Sequence, residues 1–591
     1  MSLISPTDVA KAIKMDKFGR FGTAIGWSLM RILELNKLNK FYDDIKDLEG
    51  LDFINAIFDK LNVVLDIPEN DLKRIPENGS FITVSNHPLG GLDGVLLLKL
   101  ILEQRKDYKV LASFLLDKVK PLNPYLIPVN PFENKDLSSS IGGLKSALKH
   151  LSEAHPLGLF PAGEVSTYKD GKLVIDKTWD QSALKLIYKA NVPIIPVYFH
   201  AKNSRLFYLL SKIHPILRTA KLPSEVISKR KKHIKVRIGK PITPKMQKEF
   251  ADHDMLGEFI RKKTYILAKT FEKTATIKVP KIKANHSKQK SIIDAVPVDK
   301  LASDIIHITK IGDKMFDKGE YEIFLSSAKD IPNLLQEIGR LREITFRAVG
   351  EGTGEEIDLD KYDKYYRHLI LWDKDKQKIA GAYRMGLGRE IFEKYGIKGF
   401  YLSELFQFDP ELFDMMSKSI EMGRAFISKE YQQKPFPLFL LWRGIVHTTL
   451  RFADHEYLIG PVSISDKFSN FSKSLIIEFM KSYFYDAYTA QYVRPKKAFK
   501  VRLKEADKRF IFEAANENLT KFDKLIDELE PQNLKVPVLL KKYIKQNARL
   551  VAFNVDPNFN DAIDGLMYIK ISDLPEETVK PVLEEFNKQF E

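Results

Sequence analysis

Between residues 86 and 94 the chain reads Asn-His-Pro-Leu-Gly-Gly-Leu-Asp-Gly, which sets a histidine and a carboxylate six positions apart on either side of a glycine pair. Gly90 and Gly91 give the backbone the freedom to fold Asp93 back towards His87. One imidazole nitrogen can then be held by the carboxylate while the other accepts a proton, which makes a general-base dyad able to activate a hydroxyl or an amine. The chain has no cysteine, so disulfides, thiolate metal sites and a thiol-bound acyl intermediate are all excluded. Any acyl transfer must be direct or pass through oxygen.

The elements that must position this loop are legible around it. Residues 80–85, Ser-Phe-Ile-Thr-Val-Ser, predict a strand and residues 95–102 a helix, so the dyad lies on a strand-to-helix connection that exposes its side chains. Residues 234–238 read as a further strand, preceded by the basic run 229–233. In the second half, Leu334, Leu335, Ile338, Leu341 and Ile344 share one face of a helix predicted over 332–349, and an acidic stretch follows from Glu351 to Asp363. Strands are expected over 368–372, 378–388 and 419–427. A chain of 591 residues exceeds one core, since single cores stop growing near about 250–300 residues. Composition shifts over 275–297, a basic, aperiodic stretch read as a linker. The expected division is therefore a helical N-terminal segment over 1–50, domains over 51–274 and 298–591, and this linker between them. Near the N-terminus Phe18, Phe21, Ile25, Leu29 and Ile32 recur at helical spacing among Lys14, Lys17, Arg20 and Arg31, a pattern that suits either a membrane-lying helix or one packed on the core. The formal charge of +16 favours an anionic partner: a lipid surface, an acidic carrier protein or nucleic acid. Neither zinc-finger spacing nor an aromatic-basic RNA signature accompanies it, so no nucleic acid is expected. With no secretory signal and no long uncharged apolar run, the expected location is cytoplasmic, peripheral on the inner face of the cytoplasmic membrane.

The first half resembles the glycerol-phosphate and lysophosphatidate acyltransferase superfamily, whose first block is Asn-His followed by Asp. Residues 124–130, Pro-Tyr-Leu-Ile-Pro-Val-Asn, stand for the second block, 159–166, Leu-Phe-Pro-Ala-Gly-Glu-Val-Ser, for the third, and 192–197, Val-Pro-Ile-Ile-Pro-Val, for the fourth. The resemblance implies catalytic roles for His87 and Asp93 and substrate contacts for Asn86, Gly90, Gly91, Asn130, Gly163 and Glu164. Departures matter as much as matches. Five residues rather than four separate His87 from Asp93, Ala162 and Val165 replace the usual glutamate and arginine, and Asn130 replaces a charged residue. A phosphorylated acceptor loses its charge-assisted partners. The pattern is closer to the haemolysin-labelled branch and to O-acyltransferases of amino-acid lipids.

The second half resembles the GNAT-like fold of acyl-homoserine lactone synthases and of ornithine or glycine N-acyltransferases, through Glu421-Met-Gly-Arg424, residues 538–543 and Asp556-Pro-Asn-Phe559. N-acylation needs a neutral amine, and the resemblance implies Glu421 as the base, with Arg424 and Arg347 binding a carboxylate or phosphopantetheine. There is no loop of the kind that cradles coenzyme A pyrophosphate in GNAT enzymes, which fits an acyl carrier protein as donor in place of acyl-CoA. No bound cofactor or metal is implied. Together the halves resemble bifunctional ornithine or glycine lipid synthases: a glycerolipid-acyltransferase-like α/β domain followed by a GNAT-like α+β domain. Two alternatives stand beside this reading, a lysophospholipid acyltransferase with an accessory domain and a non-enzymatic, haemolysin-like lipid-binding protein.

Overall fold

The computed structural model describes all residues except 1–2, 14, 114–115, 117, 130–136, 170–172, 214, 272–289, 435 and 589–591. Two compact units divide the chain, the first taking residues 1–272 and 528–533 and the second the rest. Each combines helices with a mixed sheet, mostly parallel in the first unit and antiparallel but for one pair in the second, in keeping with the predicted α/β unit followed by an α+β unit.

In the first unit the strands are β1 (Val64–Asp66), β2 (Ile82–Ser85), β3 (Lys109–Ser113), β4 (Leu126–Val129), β5 (Leu157–Leu159), the hairpin β6 (Thr167–Lys169) and β7 (Leu173–Ile175), β8 (Ile194–His200) and β9 (His233–Ile238). The seven-stranded sheet has the order β1-β9-β8-β2-β5-β3-β4. β2 is central and pairs in parallel with both β5 and β8. Its four residues are all buried, because helices cover both faces of the sheet. On one face Leu96, Leu97, Phe53 and Phe58 pack with Val197 and Phe199, and on the other Ile82 and Val84 pack with Leu157, Leu159, Leu184 and Ile260. A strand buried on both sides reads as a largely apolar run; its one polar interruption, Thr83, is paired with the Tyr108 hydroxyl at 2.5 Å, and the run ends at Ser85 and Asn86.

The N-terminal segment is helical over Pro6–Ala12, Gly19–Ile32 and Leu35–Asp43. The second of these helices buries Gly22, Gly26 and Met30 and turns its aromatic residues outward. A Cβ on Gly26 would lie 2.2 Å from Pro6 O, so small residues let this helix sit against its predecessor.

In the second unit the strands are β10 (Lys314–Lys318), β11 (Tyr321–Ser327), β12 (Arg367–Asp373), β13 (Lys378–Leu387), β14 (Phe406–Phe408), β15 (Ser419–Ile427), β16 (Tyr457–Ile464), β17 (Val493–Pro495), β18 (Arg549–Asp556) and β19 (Ala562–Lys570). Eight of them form one sheet, β10-β11-β12-β13-β15-β16-β19-β18. β15 and β16 are parallel neighbours joined only through Ser419–Glu421 and Tyr457–Ile459, although each strand continues well beyond. The sheet is therefore pinned in the middle and unpaired just past Glu421. Residues 290–297 lie on this unit, where Lys290 pairs with Glu355 and Val296 is buried against Leu301 and Ile338.

Candidate functional sites

In the first unit β2 delivers Asn86 and His87 to the carboxyl end of the central strand, the edge where open α/β sheets leave a crevice. Asn86 is buried and bridges to β8, donating from Nδ2 to Phe199 O at 3.0 Å and accepting from Phe199 N–H at 2.8 Å. The helix Gly91–Ile101 begins immediately after, with Gly90 at φ +80°. Asp93 lies in its first turn and is fully buried. Its Oδ2 accepts from the Leu89 and Gly90 N–H groups at 2.8 and 3.1 Å, so the carboxylate caps the helix and fixes the loop at once. The same oxygen lies 3.0 Å from His87 Nδ1, a close contact away from a straight N–H···O line. Burial raises the Asp93 carboxyl above its ordinary range, and His87 and the two amides oppose that rise. His87 keeps 16% of its side chain exposed, and its Nε2 has no partner among the described residues. The imidazole also packs against Phe160, ring centroids 4.4 Å apart.

The backbone of His87 is held from the third motif. His87 N–H donates to Asp176 Oδ1 at 3.1 Å, Ser166 Oγ donates to the same oxygen at 2.6 Å, and Ser166 N–H donates to His87 O at 2.8 Å. Asp176 also accepts from Trp179 Nε1. Its place at the end of β7 gives no motif from which the sequence could have singled it out. Gly163 sits at φ +65° in the turn leaving β5. Glu164 forms ion pairs with Lys177 at 2.6 Å and Arg218 at 2.9 Å; against the upward push of burial, these two cations hold it below the usual carboxylate range. Gly91 opens the helix without crowding, the nearest atom to an added Cβ being 3.7 Å away. Asn130 lies outside the described residues.

In the second unit Glu421 occupies the pinned stretch of β15 and is 1% exposed. Tyr366 OH donates to its Oε2 at 2.5 Å, Tyr401 N–H reaches the same oxygen at 3.1 Å, and Leu402 N–H donates to Oε1 at 2.9 Å. Burial pushes this carboxyl up to about 7, against the downward pull of the Tyr366 hydroxyl and Arg384. Three residues on, the β13–β15 register slips by one between Ala382 and Arg384, and Arg424 stands in the bulge at φ +51°. A left-handed conformation costs a non-glycine residue about 1–2 kcal/mol, and bulges of this kind re-aim a side chain. The Arg424 guanidinium lies over the rings of Phe559 and Tyr401, 4.3 and 5.0 Å from their centroids, with Asp358 and Asp360 each 3.4 Å away.

Arg424 is one end of an alternating, largely buried chain. Asp360 bonds Arg384 at 2.6 Å, Arg384 bonds Asp363 at 3.1 Å, and Asp363 bonds Arg342 at 2.7 Å. Three carboxylates thus face three guanidiniums. Against the upward push of burial, Arg342 and Arg384 hold Asp363 far below the usual carboxylate range, while burial pushes His368 beside it down to about 4 and keeps it neutral. The sequence flagged this acidic stretch only as an unspecific loop; its three aspartates are the signal that could have found the network. A further carboxyl on β19, Asp564, accepts from Ser463 Oγ at 2.6 Å and is pushed up to about 7 by burial. Arg347 is placed elsewhere in its contacts: it bonds Glu343 at 2.6 Å, Lys290 O at 2.9 Å and Glu355 O at 2.5 Å, and shares no partner with Arg424. Among the described residues no group of three or more His, Cys, Asp or Glu could hold a metal ion.

Residues 10–274 match the model of an acyltransferase family, and residues 341–442 match that of the acetyltransferase (GNAT) domain. A lyso-glycine lipid O-acyltransferase of Phocaeicola vulgatus is 31% identical over 221 residues, covering 36% of this chain and 77% of that protein. The chain belongs to the acyltransferase family. A similarly named protein of Bacteroides thetaiotaomicron is 30% identical over 225 residues, 36% of this chain and 79% of its own. A glycine N(alpha)-acyltransferase of P. vulgatus is 29% identical over 294 residues, 46% of this chain and 87% of its own. This acyltransferase therefore joins units of the O-acylating and N-acylating kinds in one chain. No helix among the described residues is long and apolar enough to cross a membrane.

Proposed function

We propose that the acyltransferase makes an aminolipid in two steps. The second unit transfers a 3-hydroxyacyl group from acyl carrier protein to the α-amine of glycine or ornithine; the first unit then acylates the 3-hydroxyl of that lyso-lipid. The observation that carries this reading is the union of the two kinds of unit in one chain.

In the first step Glu421 takes the proton of the ammonium, Arg424 faces the carboxylate of the amino acid or the phosphopantetheine, and Arg347 orders the neighbouring loop. The nitrogen attacks the thioester carbonyl, the C–N bond forms, the C–S bond breaks, and the leaving thiolate takes up the second proton that the nitrogen sheds on becoming an amide. In the second step His87 Nε2 removes the proton of the hydroxyl as its oxygen attacks the next thioester; the C–O bond forms, the C–S bond breaks, and the leaving thiolate takes the proton from the imidazolium. Asp93 holds the imidazole from its Nδ1 side, and Asn86, Gly90, Gly91 and Gly163 shape the loop that receives the acceptor. The +16 charge suits an acidic carrier protein. The N-terminal helices suit a peripheral membrane position: Phe18, Phe21, Trp27 and Ile32 are 55–67% exposed beside Lys17, Arg20 and Arg31, as interfacial helices require.

Expression in a host without aminolipids, followed by mass spectrometry of the lipid extract, tests the reading. The native chain yields a new phosphorus-free diacylated aminolipid, and His87→Ala yields only its mono-acylated precursor. Diacylated lipid from the His87→Ala chain would remove His87 from the mechanism. Acylation of added lysophosphatidate alone would replace the aminolipid reading altogether.

A further inference from the structure

An N-acylated amino acid keeps a free carboxylate, so the acceptor of the second step is an anion, yet the motif position that carries an arginine in related enzymes is Val165. Val165 is buried with Phe207 and Tyr208, and Leu222 packs against this cluster. The same packed segment supplies a cation instead. We propose that Arg218, assisted by Lys177, is the subsite that takes the carboxylate of the acyl acceptor, a single-chain N-acyl amino acid; this rests on the reading of the first unit as the O-acylating one.

Three observations place Arg218 beside the reacting loop. Its partner Glu164 stands between Phe160, whose ring packs on His87, and Ser166, whose N–H bonds the His87 carbonyl. Leu222, four residues after Arg218, lies so close over Gly90 that an added Cβ there would be 2.8 Å from it. Asn203, at the start of the segment, donates to Pro88 O at 3.1 Å. Arg218 and Leu222 thus tie one helical stretch to both sides of the dyad loop.

Charge and geometry suit a carboxylate. Lys177 and Arg218 both pair with the one carboxylate of Glu164, two cations on a single anion. The Arg218 side chain is 16% exposed, so its field is less screened than that of a surface cation. One guanidinium N–H reaches Glu164, at 2.9 Å; the others have no partner among the described residues. A guanidinium accepts a second carboxylate through a parallel pair of N–H donors. The competing role is a purely mechanical clamp of the helix onto the turn, which would be indifferent to the charge of the acceptor.

The test uses the full-length chain and two acceptors, N-(3-hydroxyacyl)glycine and its methyl ester, with the same acyl donor. The native enzyme prefers the acid. Arg218→Gln raises KM for the acid about 10- to 100-fold with kcat nearly unchanged, as expected for loss of a charge-assisted pair, and leaves the ester unaffected; Arg218→Lys restores part of the preference. Retained turnover of the methyl ester reports that the first unit of the variant chain is folded. Should Arg218→Gln fail to fold, Lys177→Gln, at a side chain 57% exposed, carries the test and must also raise KM for the acid alone. Equal use of acid and ester by the native enzyme, or equal losses on both in the variants, overturns the carboxylate subsite. If the native chain acylates neither acceptor, the O-acylation reading itself fails.

Discussion

The two proposed bases are set up by opposite means. His87 is oriented, with the Asp93 carboxylate 3.0 Å from its Nδ1 at a helix N-terminus. Glu421 is a carboxyl that burial lifts to about 7, and the two halves of that shift have opposite consequences. Because the folded pKa lies above the ordinary carboxylate value, this group stabilises the fold fully at low pH and loses that contribution as pH rises through about 7. Its action as a base runs the other way, since only the ionised form accepts a proton. N-acylation kcat/KM should therefore climb through about pH 7 while this contribution to stability falls. Tyr366 OH favours the ionised form, so Tyr366→Phe should move the ascending limb to higher pH and leave the O-acylation profile of the same chain in place. A limb that does not move would show that another group titrates, and Asp564, with the same raised pKa, would be the next to replace.

At the scale of elements, what could be read in advance was what periodicity and turn chemistry dictate locally. The helix Pro332–Val349 and the strand Ser419–Ile427 have the bounds expected of them, and the dyad does lie on a strand-to-helix turn. Pairing was not legible. The bulge at Arg424 depends on the register against β13, and Asp176 reaches His87 only because the fold closes a long loop; neither leaves a local trace. The amphipathic pattern near the N-terminus was legible, but its orientation depended on Gly22 and Gly26, whose smallness decided the buried face. Gly90 and Gly91, a pair of equals in the sequence, separate once the turn is seen. Gly90 combines φ +80° with Leu222 pressed against the place of a Cβ, whereas Gly91 is the first helical residue in open surroundings. Gly90→Ala should destabilise the first unit by about 1–3 kcal/mol and abolish most O-acylation, with N-acylation intact. Gly91→Ala, where a Cβ has room, should leave stability unchanged and lower O-acylation far less than Gly90→Ala. Thermal unfolding and the two assays on purified variants check this, and a tolerated Gly90→Ala would mean that the turn is not as rigid as its packing implies.

For the whole molecule the question is what covalent union adds, since relatives bearing the two activities in their names match this chain over 36% and 46% of its length. The intermediate carries one acyl chain, and each buried methylene contributes about 0.8 kcal/mol to membrane binding. It should therefore be retained in the bilayer without being held irreversibly. Tethering then acts through concentration: a lyso-lipid released by one unit meets the other unit of the same chain before it spreads through the membrane or leaves it. Two full-length variants separate these contributions, His87→Ala, which makes but cannot finish the intermediate, and Glu421→Gln, which can finish but cannot make it. Expressed together, they should restore diacylated aminolipid, because the membrane carries the intermediate from one chain to the other. The restored flux should be lower than that of the native chain, and mono-acylated lipid should accumulate beside the product. Product at the native level without accumulation would mean that the membrane alone delivers the intermediate and the union is kinetically idle. No product at all, with each variant retaining its own half-reaction in extracts, would mean that the intermediate is never free in the bilayer and passes only within one chain.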